Sequence, residues 1–563
     1  MTDRDRQHGQ SDVIRALGDP AAYPHAAPAI EHIQTHISHV FLVGAYAYKV
    51  KKALRLPFLD FSSLEQRRFY CEEEVRLNTQ LSPGVYLDVP PVRRRTDGSV
   101  GIGGRGTIVD WAVRMRRLPR ERTLDELLAN GFALPSVIQE LAKGVAGFHA
   151  TAPSDAEVVA CGAPDALHEA WDQNLLEARE FVGRALAPED YDILTDFGPA
   201  FVRRHTPLLR GRQREGRIRE GHGDLRAEHV CVLDKPLPAI DGLPALPAGL
   251  YVQDCVEFSR PLRCCDVISD VAFLFMDLES LGQPVLARAF IAAYADTTGD
   301  RDAWALLPFY ATHRACVRGK VEALKSLEPE VDEAARDHAA RRAKQYFRLA
   351  TRFAWEASGP AVIACCGLSG SGKSALAVQL AEATGYQVVS SDAVRRLSAP
   401  KHVLGVQAYG TGQYSPAARS ANYAGLLRDV GGTLSSGAAV LVDATFLKRR
   451  DRDALGEMAF QHACPLVFVL CHASDASLRR RLDARPDDSP SDARWDTHQD
   501  QLREWEPLAP DEPFVPIDTD GDITDARDRA LRALWAWRQG RLPVGAMGST
   551  AAAGAATRLL SSR

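Results

Sequence analysis

Residues 367–374 read GLSGSGKS, which is the GxxxxGKS pattern of a phosphate-binding loop. The apolar run 361–366 precedes it and the Ala- and Leu-rich run 374–384 follows it, so the pattern predicts a strand, the loop and then a helix. Glycines let consecutive backbone N–H groups curl around phosphate oxygens, although a plain Gly/Ser turn is the alternative. Lys373 is predicted to act on the β- and γ-phosphates, and the Ser374 hydroxyl to ligate Mg²⁺. The residues predicted to bind nucleotide are Gly367, Leu368, Ser369, Gly370, Ser371, Gly372, Lys373 and Ser374.

Two aspartates come directly after predicted strands in the same region. Asp392 follows the strand 387–390, and Asp443 ends the apolar strand 439–442. Ligands of open α/β sheets bind at the carboxyl ends of the strands, so both carboxylates are candidates for the site. Asp443 is predicted to bind Mg²⁺, and Arg395 is a candidate for holding a substrate anion. Each aspartate could instead be a helix N-cap.

Further along, Arg481 and Arg485 share one helical face within the basic stretch 478–485. Arginines over transferring phosphates stabilise their charge, so both are catalytic candidates, and a solvated basic helix face is the alternative. Together with the loop and the aspartates, this stretch resembles the small P-loop kinases related to polynucleotide kinase, gluconate kinase and zeta-toxin-type kinases. The resemblance covers roughly residues 360–540. It implies that Asp392 activates an acceptor hydroxyl and that Arg395 orients it.

A second phosphotransferase pattern lies upstream. His222-Gly-Asp224-Leu is followed thirty positions later by Asp254, which is the order of a kinase catalytic loop and its metal-binding acid. Residues 41–50 predict a β-hairpin joined near Gly44, and Lys49 lies in its alternating second strand. The predicted helix 63–81 carries three consecutive glutamates at 72–74, of which Glu73 is favoured as the partner of Lys49. Asp224 is then expected to accept the acceptor's proton, and Asp254 to hold Mg²⁺. Alternatively, Asp224 caps a turn and Asp254 pairs with a nearby arginine.

These residues resemble the aminoglycoside phosphotransferase, or choline-kinase-like, branch of the protein-kinase fold over roughly residues 30–350. The resemblance implies that Val113–Leu118, including Met115, frames the adenine, and that Asp270 has a structural role. Two departures stand out: His229 replaces the metal-binding asparagine, and Thr35–His39 replaces the glycine-rich loop. His229 thus occupies a predicted metal position, but since Mg²⁺ prefers oxygen ligands, either Glu228 or a water replaces it as the ligand, or a single metal binds.

As a whole, the sequence resembles bacterial bifunctional proteins that join an aminoglycoside-phosphotransferase-like domain to an ATP-binding domain. The expected fold is multidomain α+β and α/β, with an N-terminal protein-kinase-like bilobal domain and a C-terminal P-loop parallel sheet that has helices on both faces. The predicted segments are a polar lead-in at 1–28, an N-lobe at 29–120, a helical C-lobe at 121–356, the P-loop domain at 360–540 and a disordered tail at 541–563.

Composition limits the function classes. The 563 residues carry a net charge of −5, which argues against a chain that mainly coats nucleic acid or an anionic membrane. No uninterrupted apolar run reaches about 18 residues, so no membrane span is predicted. The 11 cysteines form no CxxC repeat, which favours a reducing cytoplasm.

The sequence therefore predicts an ATP- and Mg²⁺-dependent phosphotransferase with two nucleotide sites. The phosphate acceptor is expected to be a hydroxyl of a small molecule, aminoglycoside or sugar-like by resemblance. One alternative is a regulatory ATP-binding protein with one degenerate kinase domain. Another is a polynucleotide 5′-hydroxyl kinase, which the net acidity disfavours and the arginines near Asp392 keep open.

Overall fold

The computed structural model describes residues 3–27, 29–56, 59–132, 134–240, 242–329, 331–398, 415–485 and 493–541. The chain divides into two compact units: unit 1 comprises Met1–Asn174 and Gly198–Val317, and unit 2 comprises Leu175–Phe197 and Arg318–Arg563. Apart from Arg541, the tail predicted to be disordered lies outside the described residues. Within the described ranges, no helix has the length and apolarity needed to cross a membrane.

The N-terminal part of unit 1 contains an antiparallel sheet of seven strands, in the order β1-β2-β3-β9-β7-β8, with β6 paired to β9 and a separate β4–β5 pair. The predicted hairpin at residues 41–50 is confirmed as β2 and β3, whose two-residue turn has a φ of 57° at Gly44. The elements are α1 (Asp3–Ala16), β1 (Ile30–Gln34), β2 (Ser38–Val43), β3 (Tyr46–Lys51), β4 (Arg55–Leu56), β5 (Leu59–Asp60), α2 (Leu64–Asn78), β6 (Tyr86–Asp88), β7 (Pro91–Arg94), β8 (Val100–Ile102) and β9 (Thr107–Arg116).

Strand β3 is covered on both faces, and its period-two alternation separates two kinds of side chain. Tyr48 and Val50 belong to an apolar cluster with Val13 and Leu17 at the N-terminal end of the chain. Where a polar lead-in is expected, the structure therefore has helix α1, whose few apolar residues pack on the sheet. The other face of β3 carries Lys49 and Lys51 toward α2, and these lysines belong to the candidate site.

The middle of the chain is mainly helical. Its short strands form two antiparallel pairs, β10 with β13 and β11 with β12, and the predicted catalytic loop lies between β10 and β11. The elements are α3 (Leu124–Ala129), α4 (Pro135–Thr151), α5 (Ala156–Cys161), α6 (Pro164–Ala178), α7 (Pro188–Arg214), β10 (Ile218–Glu220), β11 (Val230–Leu233), β12 (Gly249–Val252), α8 (Arg260–Arg263), β13 (Cys264–Asp266), α9 (Val267–Ser280), α10 (Pro284–Thr298), α11 (Ala303–Lys325) and α12 (Glu333–Ala357), with single 3₁₀ turns at Pro20–Ala22, Arg120–Arg122, Arg179–Phe181 and Ala227–His229.

Unit 2 is built on a parallel sheet of five strands in the order β15-β16-β14-β17-β18. The parallel α/β sheet predicted from the alternation of strands and helices is confirmed. The elements are β14 (Val362–Cys366), α13 (Lys373–Thr384), β15 (Gln387–Ser390), α14 (Ser391–Ser398), α15 (Pro416–Ser435), β16 (Val440–Asp443), α16 (Arg449–Gln461), β17 (Leu466–His472), α17 (Asp475–Asp483), α18 (Trp495–Glu504), β18 (Phe514–Asp518) and α19 (Ile523–Arg538).

Helix α12 differs from its expected place. The sequence assigns it to a helical C-lobe, but it groups with unit 2. The reason is aromatic packing: Trp355 is fully buried and lies with its ring centroid 5.0 Å from that of Trp535 on α19 and 6.1 Å from that of Tyr386. Large aromatic side chains dominate the energetics of such packing, so α12 is part of the core of unit 2.

Candidate nucleotide-binding sites

The loop Gly367 to Ser374, here called the P-loop, joins β14 to α13 in unit 2. Its glycines at 367, 370 and 372 have φ of 135°, 89° and 80°, a region that side chains other than that of glycine rarely allow. A Cβ on Gly367 would lie 2.4 Å from the backbone oxygen of Cys471 on β17. The strand–loop–helix context predicted from the sequence is therefore present, with backbone geometry that depends on the glycines.

Asp443 lies at the carboxyl end of β16, between the two neighbouring strands. It pairs in register with Cys365 of β14 and with Ser390 of β15. Only 6% of its surface is exposed, and Oδ1 has no hydrogen-bond partner among the described residues. Burial raises the pKa of Asp443, and the charge of Lys373 and a hydrogen bond from Ser374 offset this rise only in part.

This environment fits a magnesium ion. Mg²⁺ takes oxygen ligands from carboxylates and hydroxyls, and a buried carboxylate oxygen without a protein partner is costly unless a ligand satisfies it. Asp443 and Ser374 supply oxygens of that type beside the P-loop. These are two of the residues predicted to ligate Mg²⁺.

Asp392 and Arg395 form an ion pair at the start of α14. Arg395 Nη2 lies 2.6 Å from Asp392 Oδ1, and both side chains are mostly buried. The charge of Asp392 contributes to the raised pKa of Asp443, so the two carboxylates are close enough to interact at the same edge of the sheet. The structure thus brings Asp392, Arg395 and Asp443 together near the P-loop.

The two predicted catalytic arginines lie in different surroundings. Arg481 on α17 donates to the backbone oxygen of Gly370 in the P-loop at 3.3 Å and to the backbone oxygen of Thr519 at 2.5 Å. Arg485 donates to the backbone oxygen of Ala493 at 3.1 Å, before α18. Arg481 is therefore brought to the P-loop, where it binds the loop's backbone, and Arg485 links the regions that flank α17 and α18.

The predicted site of unit 1 is centred on Lys49 of β3. Lys49 Nζ donates to Asp254 Oδ1 at 2.7 Å and lies 2.8 Å from Glu74 Oε1. Burial alone would lower the pKa of Lys49, but the carboxylates of Asp254 and Glu74 raise it well above the usual lysine value. The lysine and the predicted metal-binding acid thus meet directly.

The carboxylate on α2 is Glu74, which corrects the assignment of Glu73. The helix ends at Asn78, and the face that meets β3 carries Glu74, whose Oε1 and Oε2 lie 2.8 Å from the Nζ atoms of Lys49 and Lys51. Glu74 is buried on the same face as Cys71 and Asn78, whereas Glu73 pairs with Arg76 at 2.8 Å.

A second buried lysine was missed by the sequence reasoning. Lys51 Nζ lies 2.8 Å from Glu74 Oε2 and also bonds Glu257 Oε1, and its side chain is fully buried. Each oxygen of Glu74 therefore faces one lysine. Burial raises the pKa of Glu257, and Lys51 only partly counters it. The sequence does contain a signal for Lys51, because side chains two positions apart on a strand, such as Lys49 and Lys51 of β3, lie on the same face.

Asp224 lies in a network of polar contacts that includes Arg226 and His229. Arg226 Nε donates to Asp224 Oδ1 at 2.9 Å, and His229 Nδ1 lies 2.8 Å from the backbone oxygen of Asp224. His229 Nε2 lies 3.3 Å from Arg226 Nη2 and 3.6 Å from Asp254 Oδ2. Arginine has only donors, so Nε2 accepts and Nδ1 carries the proton.

This arrangement corrects the assignment of His229 as a metal ligand. Its one imidazole lone pair accepts from Arg226, so it is not directed at a metal. The ring instead lies between Asp224 and Asp254, and its Nδ1–H holds the backbone oxygen of Asp224.

Asp254 has a strained backbone conformation. Its φ of 67° is unusual for a residue other than glycine, and such strain concentrates at active sites. The hydroxyl of Tyr86 accepts from its backbone N–H at 3.1 Å, and its side chain stays 46% exposed. Desolvation by the surrounding protein acts to raise the pKa of Asp254, but the charge of Lys49 and its hydrogen bond lower this pKa well below the usual aspartate value, so the carboxylate is ionised and fits Mg²⁺.

The remaining predicted residues of unit 1 are Asp270 and Met115. Asp270 is fully buried and accepts from the backbone N–H groups of His222 at 2.7 Å and Gly223 at 2.8 Å. It therefore holds the catalytic loop, in line with a structural role. Met115 lies on β9 opposite Ala47 and is buried in the apolar cluster between the sheet and α2.

Comparison with known proteins gives three kinds of likeness. Residues 362–508 match the family described as an AAA domain, so unit 2 contains a P-loop nucleotide-binding domain. A gluconokinase from Sinorhizobium meliloti 1021 is 27% identical over 32% of this chain and 95% of that chain, with a TM-score of 0.26. A choline/ethanolamine kinase family protein from Mesorhizobium loti is 13% identical over 60% of this chain and 98% of that chain, with a TM-score of 0.34.

Relatives of similar length occur in mycobacteria. Uncharacterized protein Rv2004c of Mycobacterium tuberculosis (strain ATCC 25618 / H37Rv) and Uncharacterized protein Mb2027c of Mycobacterium bovis (strain ATCC BAA-935 / AF2122/97) are each 32% identical to this chain over 460 residues. The alignment covers 81% of this chain and 86% of each relative. The chain therefore belongs to the same protein family as Rv2004c.

Proposed function

We propose that the chain is an ATP-dependent phosphotransferase that transfers the γ-phosphate to a hydroxyl of a small molecule, with its main site at the P-loop of unit 2. The observation that carries this proposal is the buried, unpartnered Oδ1 of Asp443 beside Ser374, with the Asp392–Arg395 pair at the same edge of the sheet. A loop that only binds nucleotide would not require Asp392 in addition to Asp443.

The side chains suit the steps of phosphoryl transfer. Lys373 binds the β- and γ-phosphates, and Ser374 and Asp443 would hold Mg²⁺, which supplies charge neutralisation when bound. Asp392 accepts the proton of the acceptor hydroxyl, whose oxygen bonds to the γ-phosphorus as the bond from that phosphorus to the departing ADP breaks. Arg395, whose Nη2 lies 2.6 Å from Asp392 Oδ1, holds that carboxylate in place.

We also propose a second ATP site in unit 1. Lys49, held by Glu74, would bind phosphate oxygens, Asp254 would hold Mg²⁺, and Asp224 would accept the proton of the hydroxyl. Support comes from the direct contact of Lys49 with Asp254 and from the hydrogen bond that His229 donates to the backbone oxygen of Asp224. In this proposal residues 29–120 form the N-lobe, and the C-lobe begins at residue 121 and lies within residues 121–356. The proposed acceptor is an aminoglycoside or a sugar-like alcohol.

The test is transfer of labelled γ-phosphate by the full chain to aminoglycosides, sugar-like alcohols and a 5′-hydroxyl oligonucleotide. Lys373→Met is compared with Lys448→Met, and Asp254→Asn with Asp234→Asn, because Lys448 and Asp234 are charged residues outside both sites. Loss of transfer in Lys373→Met alone assigns the reaction to unit 2. Loss in Asp254→Asn alone assigns it to unit 1.

Two outcomes contradict the proposal. ATP binding without transfer to any acceptor indicates a regulatory ATP-binding protein. Transfer to the oligonucleotide alone indicates a polynucleotide 5′-hydroxyl kinase.

A further inference from the structure

Helix α18 contacts the P-loop through two side chains that no motif identifies. The backbone N–H of Ser369 donates to Gln501 Oε1 at 2.9 Å, and the backbone oxygen of Ser369 lies 2.9 Å from His498 Nδ1. His498 and Gln501 are three positions apart and so lie on one face of the helix. They are 2% and 6% exposed. Both backbone polar groups of Ser369, its N–H and its carbonyl oxygen, are therefore held by side chains of α18.

The contact fixes the state of the histidine. A carbonyl oxygen only accepts, so Nδ1 of His498 carries a proton. Burial lowers the pKa of His498, which favours the neutral ring with that proton on Nδ1. The ring also stacks on Trp495, with centroids 5.2 Å apart and planes inclined by 13°. Packing and hydrogen bonding thus hold the ring in one orientation.

Side chains also bind the backbone of the next two residues of the P-loop. The backbone oxygen of Gly370 accepts from Arg481 at 3.3 Å, and that of Ser371 accepts from Thr519 Oγ1 at 2.7 Å. Three consecutive P-loop carbonyls, those of residues 369 to 371, are therefore bound by side chains from α17, α18 and the residue after β18. Fixing these carbonyls also fixes the directions of the N–H groups in the same peptides.

We propose that His498 and Gln501 are positioning residues that preorganise the P-loop for the nucleotide phosphates. This inference rests on the proposed nucleotide site of unit 2. A glycine-rich loop loses much conformational entropy when it is ordered, and a loop that is ordered before binding does not pay that cost from the binding energy. The two residues act through Ser369 and do not touch the reacting atoms.

The test uses the full chain in an Asp254→Asn background, which removes metal-assisted binding in unit 1. Gln501→Leu removes the acceptor, Gln501→Glu keeps it, and His498→Phe removes the donor while keeping a ring to stack. ADP affinity is measured by calorimetric titration, and KM for ATP and kcat by phosphate transfer. Gln461→Leu, an exposed substitution on α16, is the control.

We expect Gln501→Leu and His498→Phe each to weaken ADP binding about tenfold, equivalent to 1.4 kcal/mol, and to raise KM with kcat unchanged. Gln501→Glu should stay close to the parent. Amide hydrogen exchange in the peptide that contains residues 367–374 should rise in the two weakened variants without a fall in melting temperature.

Equal ADP affinity in all variants overturns the inference, and so does a fall in kcat at unchanged KM. If Gln501→Leu does not fold, the comparison of ADP affinity between His498→Phe and the control Gln461→Leu tests the inference. A parent that does not bind ADP at the P-loop contradicts the proposed function instead, so the two failures are distinguishable.

Discussion

Lys49 Nζ and Asp254 Oδ1 lie 2.7 Å apart in space although 205 positions separate the two residues in sequence. At the proposed site of unit 1, nucleotide phosphates would compete with this carboxylate for Lys49. Glu74 can stay in place, because its Oε1 contacts the lysine independently of Asp254. The position of Lys49 therefore depends on Glu74 both with and without nucleotide at the proposed site.

The first prediction compares two adjacent glutamates. Glu74→Gln should lower ATP turnover in unit 1 by about tenfold or more, since Lys49 loses its fixed ionic partner. Glu73→Gln should change turnover by less than about twofold, because Glu73 pairs with Arg76 near the surface. Turnover is measured in a Lys373→Met background. Equal losses in the two variants would contradict the geometry of α2.

The second prediction concerns the buried Lys51. Lys51→Met leaves Glu74 and Glu257 without one buried partner, and breaking such a pair costs about 3 to 5 kcal/mol. Calorimetric unfolding should show this loss. The double variant Lys51→Met, Glu257→Leu should recover part of it, because an apolar pair removes the unpaired carboxylate. A double variant less stable than Lys51→Met alone would rule out this coupling.

The third prediction follows from Asp190, a partly buried aspartate in unit 2. Burial raises the pKa of Asp190 from 3.8 to about 6, with Thr351 as its hydrogen-bond partner. The native state then binds the proton more tightly than the unfolded state, so stability is greatest at acidic pH and falls as pH rises through 6. Asp190→Asn should stabilise the protein by about 1 to 3 kcal/mol at pH 8 and by little at pH 4.

Denaturant unfolding at the two pH values measures this difference. Asp192→Asn, two positions along the same helix at an exposed site, is the matched control and should show a change under about 0.5 kcal/mol at both pH values. A stabilisation by Asp190→Asn that is independent of pH would show that ionisation of Asp190 is not its cause.

The fourth prediction links magnesium to protons at Asp443. Because the pKa of Asp443 is raised, Mg²⁺ binding with ADP should release protons at acidic pH and should strengthen as pH rises. Titration calorimetry in two buffers of different ionisation enthalpy counts those protons. Asp443→Asn should abolish both effects, and Asp429→Asn at an exposed position on α15 should keep them. Proton release that persists in Asp443→Asn would assign the titrating group elsewhere.

The features predicted correctly depend on local pattern. The hairpin of β2 and β3 and the P-loop context of Gly367 each follow from a few adjacent residues and their periodicity. The parallel order of the sheet in unit 2 follows from alternation of strands and helices. In these cases the local preference and the tertiary structure agree.

The features missed depend on tertiary neighbours. Choosing Glu74 over Glu73 required the end of α2 and the face that meets β3. The partner of Lys51, Glu257, lies 206 positions away. Helix α1 has few apolar residues, and its docking depends partly on Gln10, which bonds the backbone oxygen of Lys51 at 2.8 Å and Asp110 at 2.6 Å. Hydrophobic patterning alone does not report such polar contacts.

The division of Glu74 between two lysines restricts how this family can diverge. Loss of the lysine at position 51 alone would leave the buried carboxylates of Glu74 and Glu257 with one cationic partner fewer. A change at position 257 alone would remove one of the two carboxylates that pair with Lys51. Among relatives we therefore expect columns 51 and 257 of an alignment to covary, either as a charged pair or as two apolar residues, while column 74 stays glutamate.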